Sequence, residues 1–462
     1  MNIKDLKGKM VAVLGYGMEG KATAAYLIKH GIKPVLFDQK PWEKWDKEEK
    51  QKIRGMEINF AFGPDCLKEL KGFNIVFRSP GIQLSAISNQ LSEGCIITSQ
   101  TKWFFEHCPA KIIGVTGTKG KGTTSSLIYE MLRLDFASKK NKSRVFLTGN
   151  IGKEQPLEFL DSLTDDDYVV YELSSFQLQD LTLSPHIGVV LMVTGEHLDY
   201  HKNIAEYREA KSAITKFQKP SDFAIINHDF PASMAIGAFG KGKKLYFSKN
   251  SKLSEGCFIQ DEKIVVHGVL SKKTDVLEID KLQLKGRHNL ENVCAATLAA
   301  LTAGCGIQSI KKTLKEFKGL EHRLEFVAEK NGILFYNDSF STTPETAIAA
   351  IEAFSEPEIL ILGGSSKNSD FSTLSQTIQT AKNIKAIILI GQETNKIKDS
   401  LNGKIKGEIL TGAKNMPEIF SQIKSVAKSG NVVLLSPACA SFDMFNNYQD
   451  RGEQFKEAVK KL

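Results

Sequence analysis

One stretch limits the folds open to this chain more than any other: Lys111-Ile112-Ile113-Gly114-Val115-Thr116-Gly117-Thr118-Lys119-Gly120-Lys121-Gly122-Thr123-Thr124. It reads as a buried strand, a glycine-rich turn and the start of a helix that continues from Ser125 to Leu132. Backbone N–H groups at a helix N-terminus have no intrahelical partners, and the helix dipole adds partial positive charge there. Glycines let that backbone approach an anion, and a lysine supplies a full charge, so the combination cradles nucleotide phosphates. The chain is therefore expected to bind and use a nucleoside triphosphate. The general phosphate-loop pattern places a glycine five residues before Gly120, where Val115 stands, and a hydroxyl directly after the lysine, where Gly122 stands. Thr123 is the next hydroxyl available to Mg²⁺.

At 462 residues the length predicts two to four domains. Hydrophobic residues at 42% and charged residues at 25% describe an ordinary soluble globular protein. No apolar run reaches the roughly 18 residues of a membrane span, and Met1–Lys9 lacks the apolar centre of a signal peptide. The seven cysteines are scattered without a CxxC pair, which argues for a reducing cytoplasm and against a disulfide framework or thiolate zinc site. A net charge of +8 on dispersed lysines suits a phosphate-rich ligand. No nucleic-acid reader motif accompanies it.

The first hundred residues alternate strand and helix. Met10–Leu14 runs into Gly15-Tyr16-Gly17-Met18-Glu19-Gly20, a helical pattern continues to His30, and Val35-Leu36-Phe37 ends at Asp38. This is a β-α-β unit with a GxGxxG turn and an acid about twenty residues on, the arrangement of a nucleotide-binding half. Asn74–Phe77, ending in Ser79-Pro80-Gly81, is a further strand with its loop at the carboxyl end, where parallel sheets bind ligands. A second unit starts near Lys111, with strands at Arg144–Leu147, Tyr168–Tyr171, Ile187–Val193 and Ala224–Ile226 and a small β excursion over Lys243–Leu284. A third follows Lys318, with strands at Ile333–Phe335, Ile359–Leu362, Ala386–Ile390 and Val432–Leu435. Three consecutive α/β domains are the simplest account: a Rossmann-like 1–105, a P-loop ATPase-like 106–319, and a Rossmann-like 320–462.

Glu172 ends an apolar strand in the same unit as the phosphate loop, where a Mg²⁺ ligand belongs, since that ion takes oxygen ligands from one or two carboxylates plus substrate phosphates. His197 and His201 have i, i+4 spacing, but HExxH is absent. Lys211 lies in a helical pattern that gives it no special status. Tyr336–Pro344 and Gly363–Asp370 are hydroxyl-rich loops after strands, a composition shared by ligand-binding loops and ordinary turns.

In order along the chain come Gly117–Lys121, Gly149-Asn150-Ile151-Gly152, Glu172–Leu178, Glu196-His197-Leu198-Asp199, Arg287–Asn292, His322-Arg323, Asn337-Asp338-Ser339 and Leu435–Asp443. This series resembles the Mur ligases over nearly the whole chain, and within them the glutamate-adding branch. The resemblance implies an ATP-dependent amide ligase that adds D-glutamate to UDP-N-acetylmuramoyl-L-alanine for cytoplasmic peptidoglycan precursor synthesis. In that chemistry a carboxylate is phosphorylated to an acyl phosphate, which an amine then attacks. Both steps bring anions together, so cations and N–H donors should dominate the site. By motif, Gly117, Thr118, Lys119, Gly120, Lys121, Gly122 and Thr123 would hold ATP phosphates, with Asn289, Asn292, Arg323 and Asp338 bordering the nucleotide. Thr123, Glu172 and His197 would place Mg²⁺. Lys211 matches a lysine that CO₂ converts to a carbamate ligand for a second Mg²⁺. Met18, Glu19, Asp38, Gly81, Asn150 and Ser174 match UDP-sugar positions, and Thr342, Lys367, Ser441, Phe442 and Tyr448 match glutamate positions. The implied partners are these small molecules, for a monomer that engages neither nucleic acid nor membrane.

Three departures stand out: Gly122 replaces the hydroxyl, Lys119 replaces an asparagine, and Phe340 replaces a lysine. Asp338–Pro344 resembles a variant branch that adds L-glutamate, which keeps the same ligation with L-glutamate open. Folylpolyglutamate synthase shares the phosphate loop and the carbamylated lysine but begins directly with its ATPase domain. A nicotinamide oxidoreductase would explain GxGxxG and leave the second loop unexplained. A non-catalytic ATP-binding protein is the remaining alternative, on the strength of Gly122.

Overall fold

The computed structural model describes residues 1–139, 142–152, 154–194, 203–284, 286–366, 368–405 and 407–462. The chain forms two compact units, Met1–Asp280 with Glu291–Thr313, and Lys281–Leu290 with Leu314–Leu462.

The first unit contains two sheets. Strands β1 (Val11–Leu14), β2 (Val35–Asp38), β3 (Phe60–Phe62), β4 (Ile75–Arg78) and β5 (Ile96–Thr98) lie in the order 3-2-1-4-5, all parallel. β1 and β4 are buried at every residue, as expected of central parallel strands covered by helices on both faces. Strand order reverses between β1 and β4, which opens a crevice beyond their carboxyl ends. There Gly15 takes φ +85°, and a Cβ on Gly20 would lie 1.8 Å from the Gly15 carbonyl oxygen. Helix Met18–Lys29 can pack on the turn only because Gly20 has no side chain.

The second sheet has nine strands: β6 (Lys111–Thr116), β7 (Val145–Gly149), β8 (Tyr168–Glu172), β9 (Ile187–Val190), β10 (Phe223–Asn227), β11 (Lys243–Ser248), β12 (Gly256–Gln260), β13 (Lys263–His267) and β14 (Thr274–Glu278). Their order is 14-13-12-11-10-9-6-8-7. Strands β6 to β11 run parallel to their neighbours, and β12, β13 and β14 add an antiparallel flank. The β excursion expected over Lys243–Leu284 is therefore an extension of the central sheet. The two sheets of this unit share one apolar core, in which Trp103, Phe104 and Phe105 of helix Gln100–His107 meet Leu157, Phe159 and Tyr171.

The second unit holds β15 (Glu325–Lys330), β16 (Ile333–Asn337), β17 (Glu358–Gly363), β18 (Ile384–Ile390), β19 (Glu408–Leu410) and β20 (Val432–Leu435) in the order 15-16-20-17-18-19. Only β15–β16 is antiparallel. Apolar clusters cover both faces. No helix among the described residues is long and apolar enough to cross a membrane.

Candidate functional site

The phosphate loop follows β6, which lies between β8 and β9 in the second sheet. Gly120 caps helix Lys121–Ser138 at φ +86°, and a Cβ there would lie 2.1 Å from Asn292 Oδ1. Both the backbone and the space around it demand glycine. Asn292 Oδ1 also accepts from Thr124 Oγ1 at 3.3 Å, so the start of helix Asn289–Thr302 is fastened to the loop's helix. Lys121 folds back over the turn, its Nζ donating to the carbonyls of Gly117 and Thr118 at 3.1 Å each. Register places Glu172 of β8 beside Val115, one strand from the loop, and its side chain is buried. Thr123, also buried, stands in the helix's first turn.

Lys211 illustrates what folding adds. Nothing in its helical pattern marked it, yet helix Ile204–Lys216 carries it, fully buried, to the loop's base. Its Nζ donates to Thr116 Oγ1 and to the Gly117 carbonyl at 3.2 Å each, and sits 4.7 Å from the Tyr207 ring centroid. The Tyr207 hydroxyl in turn pairs with Thr118 Oγ1 at 3.1 Å. One helix thus braces the strand end of the turn at three successive residues, Thr116, Gly117 and Thr118. His197 lies outside the described residues, as does Lys367.

At the first sheet's crevice, Asp38 accepts from the backbone N–H of Tyr16 at 2.7 Å and of Lys40 at 2.8 Å, which ties β2's end to the glycine turn. Met18 is exposed at the helix start. Gly81 lies in a turn clamped by the buried Arg78, whose guanidinium donates to the Pro80 and Ile82 carbonyls and pairs with Asp180. Glu19 turns toward the neighbouring sheet, where its Oε1 accepts from Gln177 Nε2 at 2.7 Å. Ser174 caps the short helix that carries Gln177, and Asn150 follows Gly149, which pairs with Glu172. Arg78 and Asp180 escaped the sequence reading because each is defined by a partner 102 residues away, and Gln177, inside the Glu172–Leu178 motif, had no assigned role because its partner Glu19 is 158 residues away.

Burial pushes the Glu19 carboxyl up to about 7, with the Gln177 hydrogen bond opposing the shift. Between 4.5, the ordinary value, and about 7 the folded state holds a proton that the unfolded state has released. Stability is then lost as pH rises through that window. Glu19→Gln keeps an oxygen for Gln177 and removes the titration. The variant should melt above the wild type at about pH 8, with the gap closing toward about pH 4.5. Melting curves across that range check it, and a gap independent of pH would refute the buried-acid account.

In the second unit, Asp338 directly follows β16 and is buried. Its Oδ1 accepts from Leu324 N at 3.1 Å, and its Oδ2 accepts from Ser436 Oγ at 2.7 Å. Burial raises its carboxyl to about 7. Arg323 lies 3.9 Å above the Phe340 ring centroid. Ser441 is buried, Phe442 is exposed with its N–H donating to Ser365 Oγ at 3.2 Å, and Thr342 is half-buried. Tyr448 meets Phe340 edge-on at 5.0 Å. Underneath lies Arg451, absent from the sequence reading and fully buried, bonded to the loops that carry Ser339 and Cys439. Its signal was present: Arg451, Phe455 and Val459 share one helical face, and the other two are apolar core.

A glycine held left-handed at a strand-to-helix turn, a lysine folded over it and a buried carboxylate on the adjacent strand define a phosphate-loop α/β protein. Residues 115–300 match the Mur ligase middle domain and residues 322–439 the Mur ligase glutamate ligase domain. The UDP-N-acetylmuramoylalanine--D-glutamate ligase of Acetivibrio thermocellus is 37% identical, the match covering 99% of this chain and 98% of that protein. The ligase of the same name from Clostridium perfringens (strain 13 / Type A) is 35% identical over 99% and 98%. Among solved structures, UDP-N-acetylmuramate-alanine ligase MurC from Thermotoga maritima superposes with a TM-score of 0.61 at 17% identity, covering 98% of this chain and 99% of that one. MurF ligase from the same organism in complex with ADP gives 0.57 at 17% identity, covering 100% and 97%. The chain belongs to the Mur ligase family.

Proposed function

We propose that this protein joins D-glutamate to UDP-N-acetylmuramoyl-L-alanine at the expense of ATP. The observation that carries the reading is the convergence of Gly120, Lys121, Glu172 and Lys211 on one phosphate loop, in a chain whose full-length relatives bear that ligase's name. The alanyl carboxylate attacks the γ-phosphorus and ADP leaves. The glutamate amine then attacks the acyl phosphate, a tetrahedral intermediate forms, and phosphate departs as the amide closes. Lys121 and the loop N–H groups offset charge on the transferring phosphoryl. Asn289, Asn292, Arg323 and Asp338 border the nucleotide. The first sheet's crevice, with Met18, Glu19, Asp38 and Gly81, takes the UDP-sugar together with Asn150 and Ser174. Thr342, Lys367, Ser441, Phe442 and Tyr448 take glutamate. Each sheet would form the centre of one of three domains, 1–105, 106–319 and 320–462, in a protein that acts as a cytoplasmic monomer.

Glu172 and the Thr123 hydroxyl are buried oxygen donors of the kind Mg²⁺ takes; with His197 they would hold it, and bound there it would offset phosphate charge. Lys211 fits a carbamate, because carbamate formation needs a neutral amine and burial of an amine favours the neutral form.

The test is phosphate release by the full chain with Mg-ATP, bicarbonate and UDP-N-acetylmuramoyl-L-alanine, comparing D-glutamate, L-glutamate and neither. Release that requires the nucleotide sugar and D-glutamate is the expected result. Release with L-glutamate alone would move the assignment to that enantiomer, a reading favoured by Phe340. No release with either would sink it.

A further inference from the structure

The connections of the second unit's sheet diverge between β17 and β20, which are neighbours in it. The loop after β17 leads through helix Ser372–Thr380 to β18 on one side. The loop after β20 leads to helix Tyr448–Lys460, whose Phe455 packs against Phe335 of β16 on the other. A crevice opens beyond the carboxyl ends of such a pair, and open parallel sheets bind their ligands there. Ser441 and Phe442 follow β20 at that point, the first buried and the second 74% exposed. Their segment is tied to the loop after β17. The Ser365 N–H donates to the Ala440 carbonyl at 2.9 Å, and Ser365 Oγ accepts from the Phe442 N–H at 3.2 Å.

Asp443 brings in the loop after β18. Its Oδ2 accepts from the Gln392 N–H at 2.8 Å. Gly391, the residue before, takes φ +69°, and a Cβ there would lie 2.2 Å from that same oxygen and 2.7 Å from Gly364 Cα. Three loops therefore meet where no side chain fits at Gly391, and the Asp443 carboxylate spans from the loop after β20 to the loop after β18. A carboxylate accepting from a backbone N–H forms the stronger, charge-assisted kind of hydrogen bond. Asp443 also favours the charged form of the buried Arg451, so a role exerted through charge alone is the rival account.

We propose that Asp443 is a positioning residue for the amino-acid substrate: its hydrogen bond to the Gln392 N–H holds the Ser441–Phe442 step in the orientation that receives that substrate. Asp443 acts through the backbone of its own loop and touches no reacting atom. This rests on the reading above, in which Ser441 and Phe442 take glutamate.

The test is steady-state phosphate release by the full chain, with KM measured separately for ATP and for the glutamate enantiomer that the wild type uses. Asp443→Ala should raise KM for glutamate about tenfold, the fold-change of one hydrogen bond to a charged group, and leave KM for ATP in place. Asp443→Asn keeps an oxygen for the Gln392 N–H and removes the charge, so it should recover most of the loss. Gly391→Ala, which leaves the carboxylate in the chain and crowds it, should raise the same constant. Melting curves confirm folding, and Asp443→Ser replaces the alanine variant if that one unfolds. A lower melting point with both KM values unchanged, or an equal rise in both, would overturn the proposal while the ligase reading stands. So would an asparagine variant as impaired as the alanine one, which would assign the effect to the charge beside Arg451. A wild type whose phosphate release needs no glutamate would overturn both.

Discussion

Replacing Lys211 by methionine is expected to lower kcat for phosphate release by about 100- to 1000-fold, the usual loss when one preorganised electrostatic group at a reacting centre is removed. The geometry argues for a chemical cause. Lys211 is fully buried, and its Nζ reaches the base of the phosphate loop at Thr116 and Gly117. Both oxygens keep another partner in the variant, because Thr116 Oγ1 still donates to the Leu173 carbonyl at 2.9 Å and Gly117 O still accepts from Lys121 Nζ at 3.1 Å. Methionine fills much of the same space with an unbranched apolar chain. Stability should therefore change by only about 1 kcal/mol. Depleting bicarbonate should lower wild-type turnover and leave the residual rate of Lys211→Met unchanged. Kinetics and melting on the two proteins decide it, and a variant with wild-type kcat would remove Lys211 from the chemistry.

Arg451→Met is expected to act on stability instead, by about 3 kcal/mol, a fall of about 6–12 °C for a unit of this size. Arg451 is fully buried on helix Tyr448–Lys460. Its Nε donates to Ser339 Oγ at 2.9 Å and Nη2 to the Ser339 carbonyl at 2.8 Å. Nη1 donates to the carbonyls of Cys439 and Ala440 at 3.3 Å each. Burial draws its pKa down only to about 10, so it remains a cation at neutral pH. Removing it takes donors from the Ser339 and Cys439 carbonyls on two loops at once, while the Ala440 carbonyl keeps the Ser365 N–H at 2.9 Å, and nothing apolar can replace the lost donors. Arg451→Lys keeps three donors and the charge without the planar fork, so it should recover part of the loss. A melting point within a degree of wild type would mean that the carbonyls find other partners.

Much of the fold was legible in the sequence. The central strands β1, β4, β6, β17 and β20 are short apolar runs between turn signals, because a parallel strand covered on both faces must be apolar throughout. The strands the reading passed over in the first and third sheets, Phe60–Phe62, Ile96–Thr98, Glu325–Lys330 and Glu408–Leu410, are the edge strands of those sheets. An edge strand is covered on fewer sides, so its burial pattern is weak and its composition approaches that of a loop. The central sheet's β flank was recognised as β structure but not as part of that sheet, since hydrogen-bonding partners leave no mark on a strand's own residues.

The site divides along the same line. The sequence by itself determined the local units: the glycine turn at Gly117–Gly122, the GxGxxG turn before helix Met18–Lys29, and the acids ending β2 and β8. In each, a few consecutive residues carry their own backbone geometry and hydrogen-bonding demands. Only the tertiary structure decided that Lys211 lies under the phosphate loop, that Glu19 turns toward Gln177, that Arg323 rests on Phe340 and that Arg451 joins two loops. A lysine in a surface-like helical pattern, or an arginine ahead of an apolar stripe, has the same local propensities wherever it ends up. What distinguishes it is the partner that packing brings from elsewhere in the chain, and that partner is specified by the sheet order rather than by neighbouring residues.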